Sequence, residues 1–224
     1  MRLPAGRIGI LDALERRRSN RAALWLRSLF SIHDIEDMVH LDLPWWCFGA
    51  IEEVDRFLAS LQGRARVLEW GSGASTLWLA KRAAHVTSIE HDAPWAAIVA
   101  TLTSDLDRVA LISEPPEPKS EGRDDWYGSA KAGWRDYSFR RYVNRAEEIP
   151  GPFDLIVIDG RCRERCLDMA KQRLAPGGRI LFDNTGRRRY REAIARSGLV
   201  PTTFAGLAPG LPYPDHTTIL EAPA

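Results

Sequence analysis

A turn punctuated by two glycines carries the first residues able to do chemistry, in the run Val67-Leu68-Glu69-Trp70-Gly71-Ser72-Gly73-Ala74-Ser75-Thr76. Glycines after an apolar run let the backbone turn sharply and let a ligand approach the main chain closely. Glu69, two residues before the first glycine, is placed to accept hydrogen bonds from a ligand ammonium. Thr76 stands where the third glycine of a dinucleotide fingerprint would fall, so a pyrophosphate is poorly served here. Glu90 closes the next apolar run, Val86-Thr87-Ser88-Ile89-Glu90, 21 positions after Glu69. A carboxylate at that point can accept hydrogen bonds from both hydroxyls of a ribose.

Two further polar groups close apolar runs, Asp159 in Ile158-Asp159-Gly160 and Asp183-Asn184 after Phe182. Two carboxylates and an amide converging at one sheet edge could hold a hard divalent cation such as Mg²⁺, which would orient and deprotonate a substrate hydroxyl. The plainer reading is that Asp159 and Asp183 cap the following helices or turns. Arg187, Arg188, Arg189 and Arg191 form a basic cluster just beyond Asn184. It reads either as a solvated helix face or as a group neutralising an acidic or phosphorylated substrate. His216 beside Asp215 reads as a turn histidine before it reads as a general base, and His91 reads as part of a cofactor pocket or as solvent-facing.

The elements that must position these groups alternate between strand and helix patterns. Strands are expected at Ala65–Glu69, Val86–Glu90, Val109–Ile112, Phe153–Asp159 and Arg179–Phe182. Helices are expected at Ala50–Leu61, Ser75–Ala84, from about Pro94, up to Leu174 and over Arg188–Ser197. Pro176-Gly177-Gly178 marks a turn, and Thr202–Phe204 with Thr217–Leu220 reads as a closing antiparallel hairpin. Continuous apolar strands between helices predict an α/β fold: a Rossmann-like, seven-stranded, mostly parallel sheet with helices on both faces. Residues 1–45 read as an N-terminal helical extension and residues 46–224 as the main domain, with residues 114–152 an insertion and candidate lid. The insertion carries Trp126, Tyr127, Trp134, Tyr137 and Tyr142, which either cover a substrate or pack the insertion itself.

Asp12–Phe30 reads as one basic amphipathic helix, whose apolar side packs in the core or a homodimer interface, or lies on an anionic membrane. The chain holds 31 Lys plus Arg against 30 Asp plus Glu, a formal net charge of +1, so no whole-protein field attracts a polyanion and nucleic acid is disfavoured. Cys47, Cys162 and Cys166 are too few for a disulfide framework and lack the neighbouring soft ligands of a zinc site. No apolar run approaches the ~18 residues of a membrane span. The N-terminus lacks a signal-peptide pattern, so a cytoplasmic chain is expected.

Taken in order, Glu69-Trp70-Gly71-Ser72-Gly73 with Ser75-Thr76, then Glu90, Asp159-Gly160 and Leu174-Ala175-Pro176-Gly177-Gly178, resemble the class I S-adenosylmethionine-dependent methyltransferases over residues 65–185. The wording looks closest to a group of bacterial methyltransferase-like proteins. The resemblance implies that the glycine turn holds the methionine part of S-adenosylmethionine and that the acid after the second strand holds its ribose. The implied cofactor-binding set is Glu69, Gly71, Ser72, Gly73, Ser75, Thr76, Glu90, His91 and Asp159, with the adenine contact near Ser113 and Glu114. Asp159 with Asp183 and Asn184 is similar to the metal triad of catechol and caffeoyl-CoA type O-methyltransferases, although Gly160-Arg161-Cys162-Arg163 departs from that subfamily's sequence. Methyl transfer to an oxygen of a small molecule or sugar is the implied activity, with Asp159 as the catalytic residue. The rival readings are a non-catalytic scaffold that keeps the pocket and a nicotinamide-dependent oxidoreductase, the latter disfavoured by the missing third glycine.

Overall fold

The computed structural model describes residues 5–31, 34–119 and 127–223. In chain order it begins with α1 (Ala5–Glu15), α2 (Arg21–Ser28), α3 (Ile35–Leu41) and α4 (Phe48–Ser60). The alternating part follows: β1 (Arg66–Trp70), α5 (Ala74–Ala80), β2 (His85–Glu90), α6 (Ala93–Thr103) and β3 (Val109–Ser113). A two-stranded ribbon, β4 (Glu117–Pro118) with β5 (Tyr137–Ser138), precedes α7 (Arg140–Asn144) and a 3-10 turn at Arg145–Glu148. The chain closes with β6 (Phe153–Ile158), α8 (Arg163–Arg173), β7 (Leu174–Asp183), α9 (Arg188–Ser197), β8 (Val200–Gly206) and β9 (Asp215–Glu221).

Seven strands form one sheet in the order β3-β2-β1-β6-β7-β9-β8, parallel except that β9 runs against both β7 and β8. This is the expected Rossmann-like α/β architecture with its closing hairpin. Period-2 geometry divides the strand residues between two faces. Val67, Leu155, Val157, Leu181 and Ile219 join the core under α3, α4 and α5, while Leu68, Trp70, Ile156, Ile158, Ile180 and Phe182 join the core under α7, α8 and α9. Burial on both faces explains why the strands read as continuous apolar runs.

Two expected elements differ. The basic helix over Asp12–Phe30 is broken, because Asn20 accepts a hydrogen bond from the Ala23 amide at 3.1 Å and caps a new helix. Its polar side holds Arg27 buried against Asp37 at 2.6 Å, and Trp25 and Leu24 pack toward the first core. The strand after α8 starts at Leu174, so Pro176-Gly177-Gly178 lies inside an extended segment. Its irregularity is taken up by a register shift against β6 between Phe153 and Leu155 and by a positive φ of 73° at Gly177.

Candidate functional site

At the carboxyl ends of β1, β2 and β6 a cavity of about 310 Å³ opens, lined by Gly71, Ser72, Gly73, Ser75, Glu90, His91 and Asp159 of the expected set. Its walls also include Trp45, Asp92, Trp95, Lys131, Trp134, Gly160 and Arg161. Parallel sheets place ligands at this edge, beside the point where strand order reverses, and here that point lies between β1 and β6.

Glu90 organises the entrance. One of its oxygens accepts the Ser72 amide at 2.8 Å, and the other accepts the amides of His91 at 2.9 Å and Asp92 at 2.8 Å. The His91 ring lies 2.7 Å from that second oxygen. Burial alone would raise the Glu90 carboxyl, but the His91 ring and the amides of Asp92 and Ser72 more than reverse this and hold it below its ordinary value. It is therefore an anion in the cavity wall, and the oxygen on the Ser72 side also takes the Ser72 hydroxyl at 3.3 Å, the longest of its hydrogen bonds. The His91 ring itself is fixed edge-to-face against Trp134, with centroids 5.1 Å apart, so the insertion aromatic closes over the entrance. Trp126, grouped with Trp134 on sequence, lies outside the described residues.

Glu69 and Thr76 lie beneath the glycine loop. Both are 0% exposed, and neither lines the cavity. Glu69 accepts from Ser75 at 2.5 Å, Thr76 at 2.5 Å and Ser88 at 2.6 Å, while Thr76 accepts the Gly73 amide at 3.0 Å. The acid expected to meet a ligand ammonium instead pins the glycine loop from beneath. Burial raises its carboxyl to about 7, against the pull of the three hydroxyls. A carboxyl that binds its proton more tightly folded than unfolded loses stability as pH rises from its unfolded value of 4.5 to about 7. Glu69→Gln, a neutral isostere, is expected to flatten that fall between pH 5 and pH 8 in urea unfolding, and an unaltered slope would refute the assignment.

Asp159 and Asp183 come together, but around an arginine. Arg163, 5% exposed, places Nη2 2.8 Å from Asp159 Oδ1 and donates to the backbone carbonyls of Asp159, Gly160 and Asp183 at 2.6, 2.9 and 2.7 Å. Asp183 accepts from Thr217 at 2.6 Å and from the Asn184 amide at 2.7 Å. That amide also donates to Asp215 at 2.7 Å. The expected Asp159, Asp183, Asn184 set therefore does not fit a divalent cation. A guanidinium supplies the positive charge, and Asn184 turns its donor end inward. Among the described residues, no group of three His, Cys, Asp or Glu side chains is placed to hold a metal. Burial raises Asp159 and Asp183, the Asp159 charge raises Asp183 further, and Arg163 opposes the rise in both. Asp159 keeps 21% of its side chain exposed, toward the cavity.

Several residues of the site were not selected on sequence. Trp95 donates its indole N–H to the Ser72 carbonyl at 2.8 Å, and Trp45, 28 positions before Gly73 in the chain, lines the cavity beside it. Glu114, by contrast, is drawn away by Arg141 at 3.2 Å and does not line the cavity.

No family model matches the chain, and no curated protein sequence matches it. Solved structures do. The cofactor-bound Rv0187 of MTB is 21% identical at a TM-score of 0.55, covering 87% of this chain and 89% of that one. An rRNA methylase of Streptococcus thermophilus is 14% identical at a TM-score of 0.53, covering 78% and 96%. SMU.1697c of Streptococcus mutans, solved in complex with SAH, is 13% identical at a TM-score of 0.50, covering 76% and 96%. At these identities the likeness is one of fold, and the fold is that of the class I methyltransferases.

Proposed function

We propose that the chain is an S-adenosylmethionine-dependent methyltransferase acting on an oxygen of a small molecule or sugar. The observation that carries this reading is the ionised Glu90 tied to the Ser72 amide, at the mouth of a glycine loop on this fold. SMU.1697c was solved with SAH on the same fold, which supports the cofactor. The residues present suit it: Glu90, Asp92 and Asp159 bring negative charge to the cavity wall for a sulfonium, and Lys131 and Arg161 line the same cavity. Glu90 would hold the ribose hydroxyls, and Gly71, Ser72 and Gly73 would present main chain to the methionine part.

When bound, S-adenosylmethionine supplies an already activated methyl group, so the chain's task is to hold the two reactants in line and accept the acceptor's proton. Asp159 is the group to which we assign that proton. Its raised carboxyl and its exposed edge on the cavity wall suit a base, and Arg163 orients it from behind.

Calorimetric titration with SAH and with NAD tests the reading. SAH is expected to bind and NAD not, and Glu90→Gln is expected to weaken SAH by about 1–3 kcal/mol, since an amide reverses one hydrogen bond of the cluster. SAH binding in a protein that methylates no oxygen acceptor would point to the scaffold role. Absence of SAH binding in a folded wild-type protein would end the proposal.

A further inference from the structure

A second cavity, of about 510 Å³, adjoins the first across Lys131, Gly160 and Arg161, which line both. Its own wall brings in Arg187 and Arg189 from the start of α9, with Arg163 and Glu164 from the start of α8. Arg163 is neutralised by Asp159, as described. Lys131, Arg161, Arg187 and Arg189 then face Glu164 as the acidic member of the lining, and Glu164 lies 3.5 Å from Arg189.

This cationic excess is built into the fold. Arg161 makes no ion pair among the described residues, and its Nε is buried without a hydrogen-bond partner. Burial and the neighbouring Arg163 charge push Arg161 below its ordinary value, and the Arg161 charge does the same to Lys131. The guanidinium carbons of Arg187 and Arg189 lie 5.7 and 4.7 Å from the centre of the Tyr190 ring, and Arg189 also donates to the Tyr190 hydroxyl at 2.9 Å, so one ring holds both guanidinium groups at the cavity wall. Helix α9 opens with no acidic residue in its first turn and no side-chain cap, so its free amides add to the positive potential. The arginine cluster seen in the sequence is thus divided. Arg187 and Arg189 line the cavity, whereas Arg188 pairs with Glu192 at 2.7 Å and Arg191 turns to the Gly186 carbonyl.

Resting on the cofactor reading above, we propose that this second cavity is the acceptor site and takes a small phosphate ester, whose phosphate sits between Arg187, Arg189 and Arg161 while its hydroxyl reaches Asp159 across the shared wall. Arginine forks match carboxylates as well as phosphates. Four cations against one carboxylate call for a dianion, and a phosphate monoester is one at neutral pH. The second cavity is then the more basic of the two, since in the first Lys131 and Arg161 are balanced by Glu90, Asp92 and Asp159.

Calorimetry on SAH-saturated protein tests this with inorganic phosphate, glycerol 3-phosphate, glycerol and a short single-stranded RNA. Glycerol 3-phosphate and phosphate are expected to bind saturably, and glycerol not. The double variant Arg187→Ala/Arg189→Ala is expected to lose at least tenfold in glycerol 3-phosphate affinity with SAH affinity within twofold. The pair Arg188→Ala/Arg191→Ala, of the same charge change on the same helix, is expected to stay within twofold for both. Binding of inorganic phosphate alone, or equal loss in both double variants, overturns the site. RNA binding tighter than glycerol 3-phosphate and lost in the first double variant overturns the small-molecule class in favour of nucleic acid. Absence of glycerol 3-phosphate binding in a wild-type protein that binds SAH rejects only this proposal, whereas glycerol 3-phosphate binding in a wild-type protein that does not bind SAH rejects the cofactor reading and the acceptor role with it.

Discussion

Arg163→Met is expected to destabilise the protein by about 3–5 kcal/mol at pH 8, because it removes the positive member of a buried charge group and leaves the others in place. Asp159 and Asp183 would keep their burial without their counter-ion, and the carbonyls of Asp159, Gly160 and Asp183 would lose the donor that ties the ends of β6 and β7 together. The loss should depend on pH in a defined direction. Burial already raises both carboxyls above their ordinary value of 3.8, and removing the guanidinium raises them further. Groups raised in the folded state cost stability as pH rises above the unfolded value, so the variant should recover on going from pH 8 toward pH 5, where protonation removes the uncompensated charge. Urea unfolding at both pH values measures this. Arg163→Lys should fall between the two, keeping the charge but not the fork that reaches a carboxylate and three carbonyls at once. A methionine variant equally destabilised at pH 5 and pH 8 would show that Arg163 acts through packing and its carbonyl hydrogen bonds and not through its charge.

The same arginine marks where sequence reasoning reached its limit. Leu155-Ile156-Val157-Ile158 could be read as a strand because burial on both faces demands a continuous apolar run, and Glu90 could be read as a ligand group because a carboxylate ending such a run has few structural uses. Arg163 carried no such contrast: an arginine in the first turn of a helix looks like a solvated residue, and only the closure of β6 onto β7 turns it inward. Asp183 and Asn184 were consequently assigned an oxygen-donor role, since a sequence lists acids without listing what neutralises them. The partners of Glu69 are hidden from the sequence for a related reason. Alternation puts it on the α5 side of β1, where Ser75, Thr76 and Ser88 donate to it, and of these Ser75 and Thr76 read on sequence as ligand contacts. Trp45 reaches Gly73 only through the packing of α4 on the sheet, a contact that no local pattern encodes. Strand ends were legible where one residue type contrasts with its run, and they were not where the deciding partner arrives from a distant element.

Gly71→Ala is expected to be the most damaging substitution in the glycine loop, by two additive routes that a second glycine separates. Gly71 adopts φ +96°, and a Cβ there would lie 2.6 Å from the Gly160 nitrogen, 2.8 Å from its Cα and 2.9 Å from the Asp159 carbonyl carbon. All three are backbone atoms at the end of a central strand, so no flexible side chain can give way. The positive φ costs roughly 1–2 kcal/mol for a residue with a Cβ, and the overlap about 1–3 kcal/mol more. Gly177 has φ +73° with nothing within 4 Å of its Cβ position, so Gly177→Ala isolates the conformational part. The difference between the two variants in urea unfolding is therefore the cost of forcing the β1–α5 loop and the Asp159-Gly160 turn apart. Relief of that overlap moves the loop that presents Ser72 to Glu90 and moves Asp159 on the facing wall, so SAH binding should fall in Gly71→Ala and be unchanged in Gly177→Ala. Equal destabilisation of the two variants, or full SAH affinity in Gly71→Ala, would mean that the two loops can separate without cost and that their close approach does not shape the site.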